Sequence, residues 1–235
     1  MNIALVLSGG TGVRMGLEVP KQYQILAGKP VIVHTLEQFE GCPQIDHVIA
    51  VAASDWEETI WEWKGEHGLS KLKAVAAAGE DRQRSIRNGL MAARPLMEDR
   101  QGGVIIQDAV RPLTSRALLT RLVQGLEEAP AVMPVLSVTD TTYTSQDGQW
   151  VDGLLDRSTL FAGQAPEAFD YWTFLKLYEE TPIEILRAMS GSCQLPYSRG
   201  WKVKMISGDP ENIKITYAAD LKACEKKLLE RGRTE

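Results

Sequence analysis

The chain is poor in the residues that mark several common functional classes. Cysteine occurs three times, at Cys42, Cys193 and Cys224, and histidine three times, at His34, His47 and His67. They are widely spread and form no CxxC or Cys/His spacing, so neither a disulfide framework nor a structural zinc site is expected. That usage points to a reducing, cytoplasmic setting. Long apolar runs are missing as well, so no membrane association is expected. The opening Met1-Asn2-Ile3-Ala4-Leu5-Val6-Leu7 lacks a basic stretch and runs straight into glycines, which reads as a first buried strand rather than a secretory signal. Positive charge is not in surplus: 31 acidic and 26 basic residues give a formal net charge of −5. Such a field repels a polyanion, so nucleic acid is not expected as a partner and any anion binding has to be local. There is no Ser/His/Asp or Cys/His constellation for nucleophilic catalysis, no repeat and no linker. The 235 residues are read as a single domain, 1–235.

What is present is an alternation of short β-branched runs and helical patterns. Strands are predicted over 3–7, 47–52, 104–107 and 132–138, with helix-like segments between them, which argues for a mostly parallel sheet covered by helices. Pro30 is suited to a first helical position, Ile86, Leu90 and Ala93 recur at helical spacing, and Leu221, Cys224 and Leu228 form one stripe of a last helix. Trp56, Trp61 and Trp63 crowd one acidic stretch and are expected to pack on the outer face of the sheet. The segment from about 139 to 157 is polar and holds the turn signal Gln146-Asp147-Gly148-Gln149, so it is read as a projecting β-hairpin arm.

Four segments carry possible chemistry. After the first strand comes Ser8-Gly9-Gly10-Thr11-Gly12-Val13-Arg14-Met15-Gly16, then Pro20-Lys21. A glycine turn after a strand lets backbone N–H groups approach phosphate oxygens, and Arg14 and Lys21 add full charges. A Walker A loop needs Lys and Ser or Thr directly after its last glycine, and a dinucleotide fingerprint needs a third glycine where Met15 stands; neither pattern is met. A Rossmann dehydrogenase would also need an acid closing the second strand, and only Asp55, just beyond it, half answers that requirement. The second segment, Gln107-Asp108-Ala109-Val110-Arg111-Pro112, ends a buried strand, where open α/β sheets bind ligands. There Asp108 can hold magnesium against a triphosphate or simply cap a turn; the pattern allows both. The third, Ala78-Gly79-Glu80-Asp81-Arg82-Gln83-Arg84-Ser85, opens a helix and can face a base and ribose or solvent. The fourth, Gly208-Asp209-Pro210-Glu211-Asn212-Ile213-Lys214-Ile215-Thr216, sets acids and a lysine around an expected short strand.

Taken in order, these segments resemble the family of methylerythritol-phosphate and ribitol-5-phosphate cytidylyltransferases, from Ala4 to Leu229. Gly10-Thr11-Gly12-Val13-Arg14-Met15 and Pro20-Lys21-Gln22-Tyr23 are similar to its G-x-G-x-R-M…P-K-Q-Y/F signature. Arg82, Ser85 and Gly89-Leu90, then Asp108, Arg111 and Pro112, match its next two segments. Asp140-Thr141, Asp156-Arg157, the run from Gly163 to Phe169 and Asn212-Ile213-Lys214-Ile215-Thr216 match later ones. The resemblance implies a Rossmann-like nucleotidyltransferase sheet, CTP as donor, a polyol phosphate as acceptor, Mg²⁺, and a homodimer in which each arm completes its partner's pocket. It implies catalytic roles for Arg14, Lys21 and Lys214, and CTP contacts from Ser8, Gly9, Gly10, Thr11, Gly12, Gly79, Arg82, Ser85 and Arg111. Acceptor contacts fall to Thr141, Arg157 and Ser190, and metal ligation to Asp108 with Asp209 or Glu211. The chain departs from the pattern at Ala78 for glycine, Gln107 for histidine, Ala165 and Glu167 for threonine and glutamine, and Gly191 for an acid. These departures also admit a catalytically silent nucleotide-binding relative.

Overall fold

A computed structural model describes residues 1–10 and 19–231. The first strand, β1 (Asn2–Leu7), is a continuous apolar run with a fully buried centre, as a central parallel strand requires. Two very short strands, β2 (Ile25–Leu26) and β3 (Lys29–Pro30), form a hairpin that delivers the chain into α1 (Val31–Glu40). Pro30 is the N-cap of α1 rather than its first residue, a place that equally spares a missing N–H. There follow β4 (His47–Ala52), α2 (Glu57–Glu66), β5 (Leu72–Ala77), α3 (Arg82–Met97), β6 (Gly103–Asp108), α4 (Arg116–Gly125) and β7 (Ala131–Ser137). Each strand expected in this half is present to within one residue.

The arm is a separate two-stranded hairpin of β8 (Tyr143–Thr144) and β9 (Gly153–Leu154). Its turn is held by the Asp147 carboxylate, which accepts from the N–H groups of Gln149 and Trp150, and Gly148 supplies the φ of +72° that other residues avoid. The remaining elements are β10 (Phe161–Gly163), β11 (Glu167–Asp170), α5 (Tyr171–Glu180), α6 (Ile183–Arg187), α7 (Gln194–Ser198), β12 (Val203–Ser207) and α8 (Ala218–Arg231). The short strand expected between Gly208 and Thr216 is not formed. The strand lies just before it, as β12, and the segment itself is irregular, tied by side chains instead of a ladder.

The main sheet runs β10-β7-β11-β6-β1-β4-β5, with β12 paired to β7. The pairs of β1 with β4 and β6, of β4 with β5 and of β7 with β12 are parallel, and β10 and β11 pair antiparallel. The parallel strands therefore end along one edge, and antiparallel β11 begins at that edge. Ser8, Asp108 and Glu167 come together there.

One face of the sheet is covered by α1, α2 and α4 through Ile32, Phe39, Ile60 and Leu122. The other is covered by α3 and α5 through Ile86, Leu90, Ala93 and Phe174. Gly89 lets α3 lie close on the sheet: a Cβ there would stand 2.9 Å from Leu5 Cδ1 and 3.0 Å from Val51 Cγ2. The predicted stripe of α8 is borne out, with Cys224 buried among Leu26, Val31 and Ile215 and flanked by Leu221 and Leu228. Among the described residues no helix is long and apolar enough to cross a membrane.

Candidate active site

The glycine loop is held from beneath. The Ser8 N–H and hydroxyl both donate to the Val51 carbonyl, at 2.8 and 3.0 Å, which fixes the loop's first residue to β4. The buried Gln22 donates its amide to the carbonyls of Ser8 and Gly10, each at 2.6 Å, and the Tyr23 hydroxyl donates to Ser8 O at 3.1 Å. Tyr23 is in turn stacked on Trp56 with ring centroids 3.9 Å apart, and Trp63 lies 5.9 Å away. The tryptophans thus pack as expected, and the ring they buttress supports the loop. A side chain at Gly9 would collide with Ala78, so only glycine lets the loop pass this close to the end of β5. Thr11, Gly12 and Arg14 lie outside the described residues.

Across from the loop, α3 begins with Asp81 as its cap, accepting from Arg84 N at 2.8 Å. The Ser85 hydroxyl accepts from Gly79 N at 3.0 Å and donates to Asp81 O at 2.9 Å. Gly79 and Ser85 are therefore bonded to each other, with the hydroxyl proton already used. Arg187 of α6 reaches Asp81 at 3.0 Å and Glu80 at 2.9 Å, a brace that sequence reasoning missed. A cavity of about 350 Å³ lies between loop and helix, lined by Ser8, Gly9, Gly10, Lys21, Gly79 and Ser85 among others.

Asp108, the last residue of β6, closes the floor of that cavity. Lys214 Nζ stands 2.9 Å from its carboxylate, Arg111 Nε 3.6 Å and Arg82 Nη2 3.9 Å. Burial works against ionisation of this carboxyl, but the charge of Lys214, then that of Arg82, the Lys214 hydrogen bond and Arg111 outweigh it and hold its pKa below the usual value. Burial lowers the Arg111 pKa, and Asp108 opposes that shift.

Lys214 owes its position to Asn212. The Asn212 amide donates to Ala165 O at 2.7 Å and accepts from the Thr114 hydroxyl at 2.9 Å, while its own carbonyl accepts from Arg111 at 2.7 Å. The buried Gln107, where the resembled pattern has histidine, donates to Thr114 at 2.7 Å and completes this chain of bonds. Lys21 donates to Ile215 O at 2.8 Å, so both lysines are fastened to one segment. The network crosses four parts of the sequence; only the presence of Asn212 beside Lys214 in a matched motif hinted at it.

A second cavity, of about 640 Å³, opens on the other side of Asp108. Ser190, Gly191, Glu167 and Gln164 give it polar walls, and Met133, Tyr197 and Met205 line it further out. Arg82, Asp108 and Lys214 line both cavities. Arg82, expected on the CTP side alone, spans the junction: it donates to Ser192 Oγ at 2.8 Å and stands 3.7 Å from Glu167. Arg111 lines the second cavity rather than the first. Gln164 exchanges two 3.0 Å bonds with the backbone of Asp209. Glu211 is taken up by Lys227 and Arg231 of α8, which lower its pKa. Thr141 and Arg157 line neither cavity; both sit on the exposed arm, with Arg157 donating to Thr139 O at 2.8 Å.

Among the described residues no three His, Cys, Asp or Glu side chains gather as a metal cluster. Asp108 is a single carboxylate at the meeting point of two cavities. That donor set fits Mg²⁺, which commonly takes one or two carboxylates and finds its remaining ligands in water and phosphate oxygens.

A mostly parallel sheet whose strand ends carry a braced glycine loop, a buried carboxylate and a cationic junction between two cavities is the framework of a nucleotidyltransferase. A family model described as 2-C-methyl-D-erythritol 4-phosphate cytidylyltransferase matches residues 2–230, and the chain belongs to this family of cytidylyltransferases. It is 37% identical to the 2-C-methyl-D-erythritol 4-phosphate cytidylyltransferase of Rubrobacter xylanophilus, over 98% of this chain and 96% of that one. It is 30% identical to the ribitol-5-phosphate cytidylyltransferase of Lacticaseibacillus paracasei, over 94% and 95%. Among solved structures, the 4-diphosphocytidyl-2C-methyl-D-erythritol synthase of Anaerococcus prevotii superposes with a TM-score of 0.79 at 25% identity, covering 97% of this chain and 98% of that one. These matches do not favour the dehydrogenase alternative.

Proposed function

We propose that this cytidylyltransferase transfers CMP from CTP to a small polyol phosphate, of the ribitol 5-phosphate or 2-C-methyl-D-erythritol 4-phosphate kind, releasing pyrophosphate. The observation that carries this reading is the pair of cavities meeting at Arg82, Asp108 and Lys214. The triphosphate lies against the glycine loop and Lys21, and the acceptor phosphate enters from the larger cavity. An acceptor phosphate monoester is already mostly ionised near neutral pH, with a second pKa of about 6, so no general base is needed. What the reaction needs is alignment and compensation of charge while two anions approach. Lys214 and Arg82 supply positive charge from the junction, and Lys21 from the donor side. Asp108 would hold Mg²⁺, with Asp209 as the candidate second ligand, and the ion would neutralise phosphate charge further.

The functional unit is a homodimer in the cytoplasm. Trp150, Val151 and Leu154 on the arm are 75%, 67% and 67% exposed, an apolar set suited to a second copy that brings Thr141 and Arg157 to its acceptor cavity. The buried free thiols Cys42, Cys193 and Cys224 agree with a reducing compartment. The test is incubation with CTP, Mg²⁺ and a panel of polyol phosphates while pyrophosphate is followed. A CDP-polyol and equimolar pyrophosphate are expected; no release with any acceptor rejects the reading.

A further inference from the structure

Glu167 has no part in the chemistry described so far, although it is buried in the wall of the larger cavity. Its Oε2 accepts from Ser192 N at 3.3 Å, its Oε1 from Cys193 N at 3.2 Å, and Arg82 Nη2 stands 3.7 Å from Oε2. An ionised carboxylate accepts at about four lone-pair sites and donates at none. Two N–H groups and the Cys193 thiol take up most of these sites, with the Arg82 guanidinium at ion-pair distance, and about one is left over. The space beside Oε1 belongs to Gly191, where a Cβ would lie 3.9 Å away. The resembled family pattern has an acid at 191 and glutamine at 167. In this chain the negative charge stands at 167, across the same gap.

We propose that Glu167 is a specificity-determining residue of the acceptor cavity: it accepts a hydrogen bond from a hydroxyl of the polyol in the space left by Gly191. The enzyme then selects acceptors with an uncharged, hydroxylated tail and rejects those with an anionic one. The inference rests on the CMP-transfer reading above. A buried acceptor left without its donor is costly, which is how such a site discriminates. A second carboxylate at 191 would crowd like charges into one gap, so the acid can occupy either position but not both.

The test uses the full-length protein with CTP and Mg²⁺, comparing ribitol 5-phosphate with ribonate 5-phosphate, in which a carboxylate replaces the terminal hydroxymethyl group. Wild type is expected to prefer ribitol 5-phosphate strongly. Glu167→Gln should raise the acceptor KM by about ten- to a hundredfold, the loss of one hydrogen bond to a charged group. It should also narrow the preference while leaving the CTP KM in place. Gly191→Asp alone should weaken the acceptor similarly, and the double variant Glu167→Gln/Gly191→Asp should recover much of the loss, which a merely structural role does not predict. Unchanged acceptor KM and unchanged preference in Glu167→Gln overturn the proposal, as does a double variant no better than the worse single one. If Glu167→Gln misfolds by circular dichroism, an unaltered acceptor KM in Gly191→Asp overturns it instead. Wild type that turns over no polyol phosphate at all overturns the parent reading, and this one with it.

Discussion

Asp108 is surrounded by three cations, and the balance among them governs what its replacement does. Asparagine keeps the shape, removes the charge and leaves Lys214, Arg82 and Arg111 facing one another. Asp108→Asn is expected to abolish metal-dependent turnover with an unchanged far-UV spectrum, and a wild-type rate at saturating Mg²⁺ would remove Asp108 from the metal site. The depressed carboxyl has a consequence for stability too. Between its folded pKa and the ordinary value of 3.8, the unfolded chain binds more protons than the folded one, so stability rises with pH. The contribution is fully present above 3.8 and is lost as pH falls through the lower folded value. Urea midpoints taken between about pH 5 and pH 2 should fall less steeply in Asp108→Asn than in wild type. Lys21 offers a second contrast. If its ammonium meets charge that grows at the α-phosphorus, Lys21→Ala lowers kcat by roughly a hundred- to a thousandfold, well beyond its effect on CTP Kd. Lys21→Arg should rescue only in part, because a planar fork does not place charge where a compact ammonium sits. Retained kcat with weakened CTP binding would make Lys21 a ground-state binder.

At the scale of elements, the irregular segment after β12 depends on Asn212 in place of a ladder. Asn212→Ala leaves the buried Ala165 carbonyl without its donor, while the Thr114 hydroxyl keeps Gln107 and the Arg111 carbonyl, at about 1 to 3 kcal/mol in stability. Lys214 then loses its register, so kcat should drop more than CTP affinity, as thermal melts and single-turnover rates would report; a variant with wild-type kcat would uncouple the two residues. This is also where the sequence is hardest to read. β1, β4, β6 and β7 are legible because each is an apolar run long enough to be buried in the middle of a sheet. β10 and β12 are short and largely uncovered, β11 is buried but only four residues long, and all three pair with strands remote in the chain, so no local period announces them. The site divides the same way. The glycine loop, Asp108 and Lys214 stand in motifs whose chemistry is local, whereas Gln22 under the loop, Arg82 across the junction and Gln164 against Asp209 take their roles from folding alone.

For the whole molecule, the arm makes the testable difference between one chain and two. Arg157 and Thr141 line neither of the two cavities, so a shared site predicts complementation. Arg157→Ala mixed with Lys21→Ala should regain part of the activity through hybrid dimers, whose presence native mass spectrometry can verify. Verified heterodimers without recovery would show that each chain works alone. The two cavities carry a further consequence, for inheritance. The smaller is built from residues between Leu7 and Val110 plus Lys214, and the larger takes its own wall from Arg111 and from residues between Met133 and Met205. On the proposed reading, donor and acceptor recognition are written in successive stretches of one chain, with α4 between them and the charged junction held in common. A single recombination crossover within α4 and a second before Lys214 would exchange the acceptor wall as a block, leaving the nucleotide half untouched. One scaffold can in this way pass from one polyol phosphate to another without relearning how to hold its nucleotide.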